Sequence, residues 1–325
     1  MSLQIGTAVA EKGKLVKGTL DIGYFSDGTP VSLPIMIASG ETEGETMWIE
    51  GAIHGNEPGG TLAIVEYVTS LDLSKLKGTI VAVPVVNLQS FRAGTRNTPV
   101  DGVNINRIFP GSSEGTFTYQ LAAKYIDTVC AHADYLLDFH SGGLHDWCPY
   151  YVGFADDGSV KNDIRMDMCK DCGTAFIWHG ITSSGGLGGI IPSQVTARGI
   201  PAITVECGGG PVTEEDLASF KRAIEGNLKG RGFLEGKPER RDHYTMAGGG
   251  LFPVTHVGGF FKTDLKAGIV LHKGDLIGKI INLYGEVLEE IHCPEDDMLV
   301  ATLIFNNTPV GSGEGFAELI HVYEL

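Results

Sequence analysis

Apolar, often β-branched runs recur along the chain at residues 31–38 (VSLPIMIA), 46–53 (TMWIEGAI), 79–86 (TIVAVPVV), 135–140 (YLLDFH) and 201–206 (PAITVE). Continuous rather than alternating apolarity predicts strands, several of them buried on both faces. Polar-apolar mixtures over 58–71, 118–132, 159–172 and 213–228 predict helices between them. The last opens Thr213-Glu214-Glu215-Asp216, acidic residues where a helix N-terminus favours them. This alternation predicts an α/β layer architecture around a largely parallel or mixed sheet.

The pattern changes near residue 230. Residues 230–242 are rich in glycine and charge and read as a linker. Beyond them Gly248-Gly249-Gly250, Gly258-Gly259, Lys273-Gly274-Asp275 and Tyr284-Gly285-Glu286 punctuate short β-type runs with no helical period. That spacing predicts a small all-β module, and hence a catalytic-size domain over 1–235 followed by an all-β domain over 236–325.

Composition adds constraints. A chain of 325 residues buries a substantial core, and its 46 glycines imply many tight turns. Lys+Arg 24 against Asp+Glu 40 gives a net charge of −16, which disfavours nucleic acid and anionic membrane as partners. No apolar run is long enough for a transmembrane helix, and the N-terminus lacks the features of a secretory signal. Six cysteines are too sparse for a disulfide framework, and the lone Cys169-x-x-Cys172 has no second pair to complete a zinc ribbon. The expected setting is cytoplasmic, with assembly into a homo-oligomer left open.

Candidate chemistry sits where predicted strands end. His54 and Glu57 fall on a strand-to-helix turn before Pro58, and ligands of open α/β sheets bind at the carboxyl ends of strands. HxxE alone reads equally as a hydrogen-bonded histidine and a helix start. His140 ends another strand and precedes Ser141-Gly142-Gly143, and Glu206 ends a third, before Gly208-Gly209-Gly210. Two imidazoles and a carboxylate are the ligand set of a hydrolytic zinc site, with one position left open, and Glu206 is a candidate base. Asp138 is either a carboxylate behind the ligands or a plain polar group. Arg96, Asn104, Asn106 and Arg107 form either a solvated loop or a carboxylate clamp, since guanidinium binds carboxylates in a fork.

Taken together, HGNEPGG, the NINRIFPG segment, DFHSGG and VECGGG resemble the succinylglutamate desuccinylase/aspartoacylase family of the zinc carboxypeptidase superfamily. The resemblance spans roughly residues 15–325 and is nearest the N-acyl amino acid and N-acetyl-diaminobutyrate deacetylase branch. It implies a zinc-carboxypeptidase-like three-layer α/β domain with a central mixed sheet and a barrel-sandwich-like all-β tail. It also implies one Zn²⁺ per chain on His54, Glu57 and His140. By the same resemblance Glu206 is the catalytic glutamate, Arg96 polarises the scissile carbonyl, and Asn106 with Arg107 holds the substrate carboxylate. Arg92 competes for the Arg96 role.

The implied reaction is zinc-dependent hydrolysis of the linear amide of a small N-acyl amino acid, the metal's water attacking the acyl carbonyl with Glu206 as base and then acid. The sequence departs from the family in one respect. Aspartoacylases carry a Tyr and an Arg before the catalytic glutamate to grip a second carboxylate, whereas residues 180–199 hold glycines and a single cation, Arg198. That segment reads as a lid over the pocket or as a plain connection. His145, Asp146 and His179 read as structural groups or as polar groups behind the site. The alternative function is a metallocarboxypeptidase acting on peptide C-termini. The tail also has the turns of a lipoyl carrier, but its hairpin 294–298 lacks the lysine, so it reads as a cap that walls the site.

Overall fold

The computed structural model describes residues 3–156, 158, 161–181 and 187–323. A hairpin of β1 (Gln4–Ile5) and β2 (Ala8–Val9) precedes three long strands, β3 (Leu15–Tyr24), β4 (Pro30–Ser39) and β5 (Thr42–Gly51). Then follow α1 (Pro58–Ser70), β6 (Lys77–Val83), α2 (Leu88–Ala93), α3 (Phe117–His132), β7 (Tyr135–His140), β8 (Asp146–Asp156), α4 (Asn162–Asp171), β9 (Phe176–Ile181), α5 (Ile191–Thr196), β10 (Ala202–Gly208) and α6 (Glu214–Gly230). The remainder is β11 (Thr245–Leu251), β12 (Gly259–Lys262), β13 (Val270–Leu271), β14 (Leu276–Ile281), β15 (Val287–His292), β16 (Met298–Ile304), β17 (Pro309–Val310) and β18 (Ala317–Tyr323).

Among the described residues one 12-stranded mixed sheet runs β13-β16-β18-β11-β9-β8-β10-β7-β5-β6-β4-β3. Its centre, β10-β7-β5-β6, is parallel, and these strands are the apolar runs expected from the sequence. Helices α1, α4 and α6 cover one face around Ile49, Phe139, Val205 and Phe220. Helices α3 and α5 cover the other around Trp48, Tyr125, Leu136 and Ile191. This is the expected three-layer arrangement, and the tail is all β. The Thr213 start of α6 is a capping box: Thr213 Oγ1 accepts from the Asp216 amide at 3.2 Å while Asp216 accepts from the Thr213 amide at 2.9 Å.

Strand β16 pairs with β18 on one side and with β8 on the other, so β8, β9, β11, β18 and β16 close into a ring. Strands on both sides of residue 235 therefore share hydrogen bonds. The strands β12, β14, β15 and β17 form a separate antiparallel sheet over a core of Phe261, Ile277, Ile280 and Phe316. Within 180–199, residues 182–186 lie outside the described residues, and 191–196 form α5.

Candidate active site

The His54–Glu57 turn depends on unusual backbone. Ala52 has φ +47°, a left-handed angle rare for a residue with a Cβ. It is held there because Asn87 donates its amide to the Ala52 carbonyl at 3.0 Å and Val86 donates to Gly51 at 3.0 Å. A Cβ on Gly55 would fall 1.9 Å from the Ser90 carbonyl carbon, so only glycine lets α2 approach. Glu57 is the N-cap of α1 but makes no capping bond, because its carboxylate turns into the site.

Parallel register then aligns the rest. Glu50 lies beside Asp138 across β5 and β7, and His140 beside Glu206 across β7 and β10. The β10 register shifts just after Glu206, where three glycines with positive φ follow. At Gly209 a Cβ would sit 2.0 Å from the Asp146 carbonyl oxygen, which is why the strand can end against β8.

His54, Glu57 and His140 converge, all buried. His54 Nε2 lies 3.0 Å from Asn104 Oδ1, and His140 Nε2 lies 3.0 Å from Asp138 Oδ2. Both rings thus turn Nδ1 inward. His140 Nδ1 is 2.8 Å from Glu57 Oε2. His54 Nδ1 is 2.9 Å from Glu57 Oε1, yet it is not aligned for a hydrogen bond and is left without a partner. An orphaned buried ring nitrogen is costly on its own. Imidazoles anchored from behind by an amide or carboxylate, with the other nitrogen facing a carboxylate, are arranged as metal ligands are. The three ligand atoms lie within 4.8 Å of one another, so these residues fit a divalent ion. Two nitrogens and a carboxylate suit zinc, and cobalt or manganese accept the same set.

The three groups set one another's charge. Burial lowers the His54 pKa against the pull of Glu57. At His140 burial opposes the charged ring, but Asp138 and Glu57 outweigh it and hold its pKa well above the ordinary value. Burial would raise Glu57, and the two imidazoles instead hold it well below the carboxylate range. Behind Asp138, Tyr125 donates to Glu50 at 2.5 Å and Trp48 Nε1 donates to the Tyr125 hydroxyl at 3.0 Å.

His54, Glu57 and His140 line one cavity of about 180 Å³, together with Glu206, Arg96, Asn106 and Arg107. Burial, then Glu57 and Glu318, push the Glu206 carboxyl up to about 8 against His140 and Arg96. Arg96 donates to Glu57 Oε1 at 2.8 Å. Asn106 accepts the Ile191 amide at 3.0 Å, with its amide nitrogen 3.3 Å from His140 Nε2. Arg107 donates to the Asn106 carbonyl at 2.7 Å and forms no ion pair among the described residues. The competitor Arg92 lies over the Phe25 ring at 5.7 Å and does not line the cavity. His179 pairs with Asp156 at 3.1 Å, also off the cavity wall.

Sequence reasoning missed several groups. Asp146, read as a structural group or one behind the site, lines the cavity itself, and burial raises its pKa to about 7. Tyr151, Trp178, Phe252, Thr302 and Glu318 also line it. None belongs to a local motif. The one available signal was the placement of isolated acidic and aromatic residues within β-type runs of the tail and of 146–178.

Comparison with known proteins gives the same picture. The family model of the Succinylglutamate desuccinylase/Aspartoacylase catalytic domain matches residues 43–230. N-alpha-acetyl-L-2,4-diaminobutyric acid deacetylase of Halomonas elongata is 25% identical over 304 residues, 90% of this chain and 87% of that protein. A succinylglutamate desuccinylase from Silicibacter sp. TM1040 superposes with a TM-score of 0.84 at 24% identity, covering 95% of each chain. The product-bound ectoine utilization protein EutE (DoeB) from Ruegeria pomeroyi gives 0.85 at 23% identity, covering 98% of this chain and 99% of that one. At these identities the two structures establish a common fold.

Proposed function

Because the chain belongs to the succinylglutamate desuccinylase/aspartoacylase family, a family of amidohydrolases acting on N-acyl amino acids, we propose that it hydrolyses the amide of a small N-acyl amino acid with a divalent ion, zinc by donor type, on His54, Glu57 and His140. The observation that carries this reading is the convergence of those three buried side chains, one of them with an orphaned inward nitrogen, in the cavity that also holds Glu206. When bound, the ion supplies Lewis acidity, which brings a water's pKa to about 7 and draws charge from a carbonyl oxygen.

The chain's own residues do the rest. Glu206 takes a proton from the attacking water and delivers it to the amine nitrogen as the C–N bond breaks, leaving a carboxylate and a free amino acid. The Arg96 guanidinium, at the cavity beside Glu57, offsets negative charge growing on the carbonyl oxygen. Arg107, with no ion pair of its own among the described residues, takes the α-carboxylate, and Asn106 positions it by offering its carbonyl to the guanidinium. The Halomonas relative's named substrate is an N-acetyl diamino acid, one of the small N-acyl amino acids of this class.

Phe252, Thr302 and Glu318, from beyond residue 235, wall one side of this cavity, and a walled cavity favours small molecules over peptides. The test is amine release from N-acetyl and N-succinyl amino acids, before and after chelation and with zinc restored, alongside tetrapeptides. Activity lost on chelation and regained with metal is expected. Faster cleavage of tetrapeptides would favour the carboxypeptidase alternative, and chelator-insensitive turnover would remove the metal.

A further inference from the structure

Behind the ligand residues lies a buried chain of side chains that none of these steps uses. Trp48 and Glu50 on β5, Tyr125 on α3 and Asp138 on β7 are all fully buried. Trp48 Nε1 donates to the Tyr125 hydroxyl at 3.0 Å, and that hydroxyl donates to Glu50 Oε2 at 2.5 Å. Glu50 and Asp138 are direct neighbours across the parallel β5–β7 pair, so both side chains leave the same face of the sheet, on strands about 4.8 Å apart. Asp138 Oδ2 in turn lies 3.0 Å from His140 Nε2.

Each carboxyl of this pair has one oxygen to spare. Among the described residues Glu50 Oε1 and Asp138 Oδ1 are buried and have no hydrogen-bond partner. Two ionised carboxylates side by side in a dry core would repel each other and forgo their hydration. One proton on Glu50 removes the repulsion and supplies the donor that Asp138 Oδ1 needs. Burial, and then Asp138, raise the Glu50 pKa well above the carboxylate range, against relief from Tyr125, His140 and Trp48. Tyr125 decides which oxygen donates: Oε2 accepts from its hydroxyl, so Oε1 is left to carry the proton. For packing alone an apolar residue would serve better, since burying polar groups is costly. His54 is backed differently, by the neutral Asn104 amide.

We propose that Glu50 is a positioning residue for the metal site: its carboxyl, seated on Tyr125, donates to Asp138 and thereby fixes the carboxylate that aims the His140 ring at the ion. This rests on the metal-dependent deacylase reading above. Without that donor Asp138 is free to turn, and the His140 ring turns with it. E50Q reproduces the neutral carboxyl, its carbonyl accepting from Tyr125 and its amide donating to Asp138, whereas E50L offers neither group. The test titrates zinc into metal-free wild type, E50Q and E50L against a chelating dye. It also records the visible spectrum of each protein loaded with cobalt, and compares the carboxyl infrared bands of zinc-loaded wild type and E50Q.

E50L should bind zinc about 10- to 100-fold more weakly, the usual cost of removing a partner behind a ligand, and its cobalt bands should shift. E50Q should keep the wild-type affinity and cobalt bands, and wild type should show a protonated-carboxyl stretch that E50Q lacks. A group needed only for the fold would not separate E50L from E50Q in these readouts. Unchanged zinc affinity in E50L, a loss in E50Q as large as in E50L, or no such stretch would overturn the assignment while leaving the deacylase reading intact. If E50L does not fold, E50Q decides. Wild-type affinity with the stretch lost supports Glu50 as the donor, and weaker binding or an unchanged stretch refutes it. Zinc binding without amine release would sink the deacylase reading alone, and a wild type that binds no divalent ion would sink both.

Discussion

Ala52 and Glu206 place opposite demands on a single residue. Ala52 is a small, fully buried residue, and its φ of +47° sets the direction in which the chain leaves the sheet towards His54. A β-branched side chain tolerates that angle poorly and would crowd a fully buried position. Ala52→Val should therefore cost about 2 kcal/mol in denaturant unfolding, within the range for backbone strain plus overpacking. Glu206 is instead expected to matter for turnover alone. Glu206→Gln should keep the bound metal, by elemental assay, while kcat falls about 10²- to 10⁴-fold, the usual yield of a positioned base. Near-normal kcat in that variant would take Glu206 out of the mechanism.

At the scale of elements, α3 has an N-cap, Thr116, that makes no side-chain capping bond. Its free amides are met from a distance by Asp101, which accepts from the Thr118 amide at 3.0 Å and from the Thr116 and Thr118 hydroxyls at 2.6 and 2.7 Å. The same contact anchors the loop that carries Asn106 and Arg107. Burial would raise the Asp101 pKa, but these donors outweigh it and lower the pKa below its ordinary 3.8. A lowered folded pKa contributes stability above the unfolded value and loses it as pH falls through the folded one. Asp101→Asn should thus cost about 1 kcal/mol at pH 7, and the gap to wild type should narrow below the unfolded value and close once pH falls past the lower, folded one. A gap that persists there would show that the carboxylate charge is not the cause.

Elements of this kind were legible wherever physics is local. Strands β5, β7 and β10 are apolar on both sides because helices cover both faces, and Pro58 and the glycines punctuate their ends. The grouping of His54, Glu57 and His140 was expected from strand ends together with the family resemblance, and these three side chains converge. Strands β8 and β9 and helix α5 were not foreseen. Strand β8 mixes Asp146, Pro149 and Gly153 into its run, and α5 spans too few residues to display a helical period. The role of Asp138 was left open because sharing a strand face with His140 does not by itself say that its carboxylate meets the Nε2 nitrogen. Glu318 and Thr302 were invisible for a different reason, since their approach to Glu206 depends on strands more than 90 residues apart in the chain.

For the whole molecule, the expected division at 235/236 meets a sheet that crosses it. A chain ending at residue 235 loses β11, β16 and β18, and uncovers Cys148 and Tyr151, which pack with Ala247, Leu299, Ala301 and Ile320. Such a truncation should fail to melt cooperatively, because β8 and β9 would present open edges. A sharp transition in that fragment would support two separately folding units. The net charge of −16 acts at this scale too, repelling polyanions at long range while leaving anion capture to local arginines.

Closure of the strand ring, finally, bears on how the protein opens. The seam where Trp147 meets Leu303 leaves no peeling edge between the two halves of the chain. Amide protons along that seam should exchange with deuterium only through global unfolding, as slowly as those of β5 and β7. Breathing that admits and releases ligands would then be confined to the cavity rim and would not reach the ring.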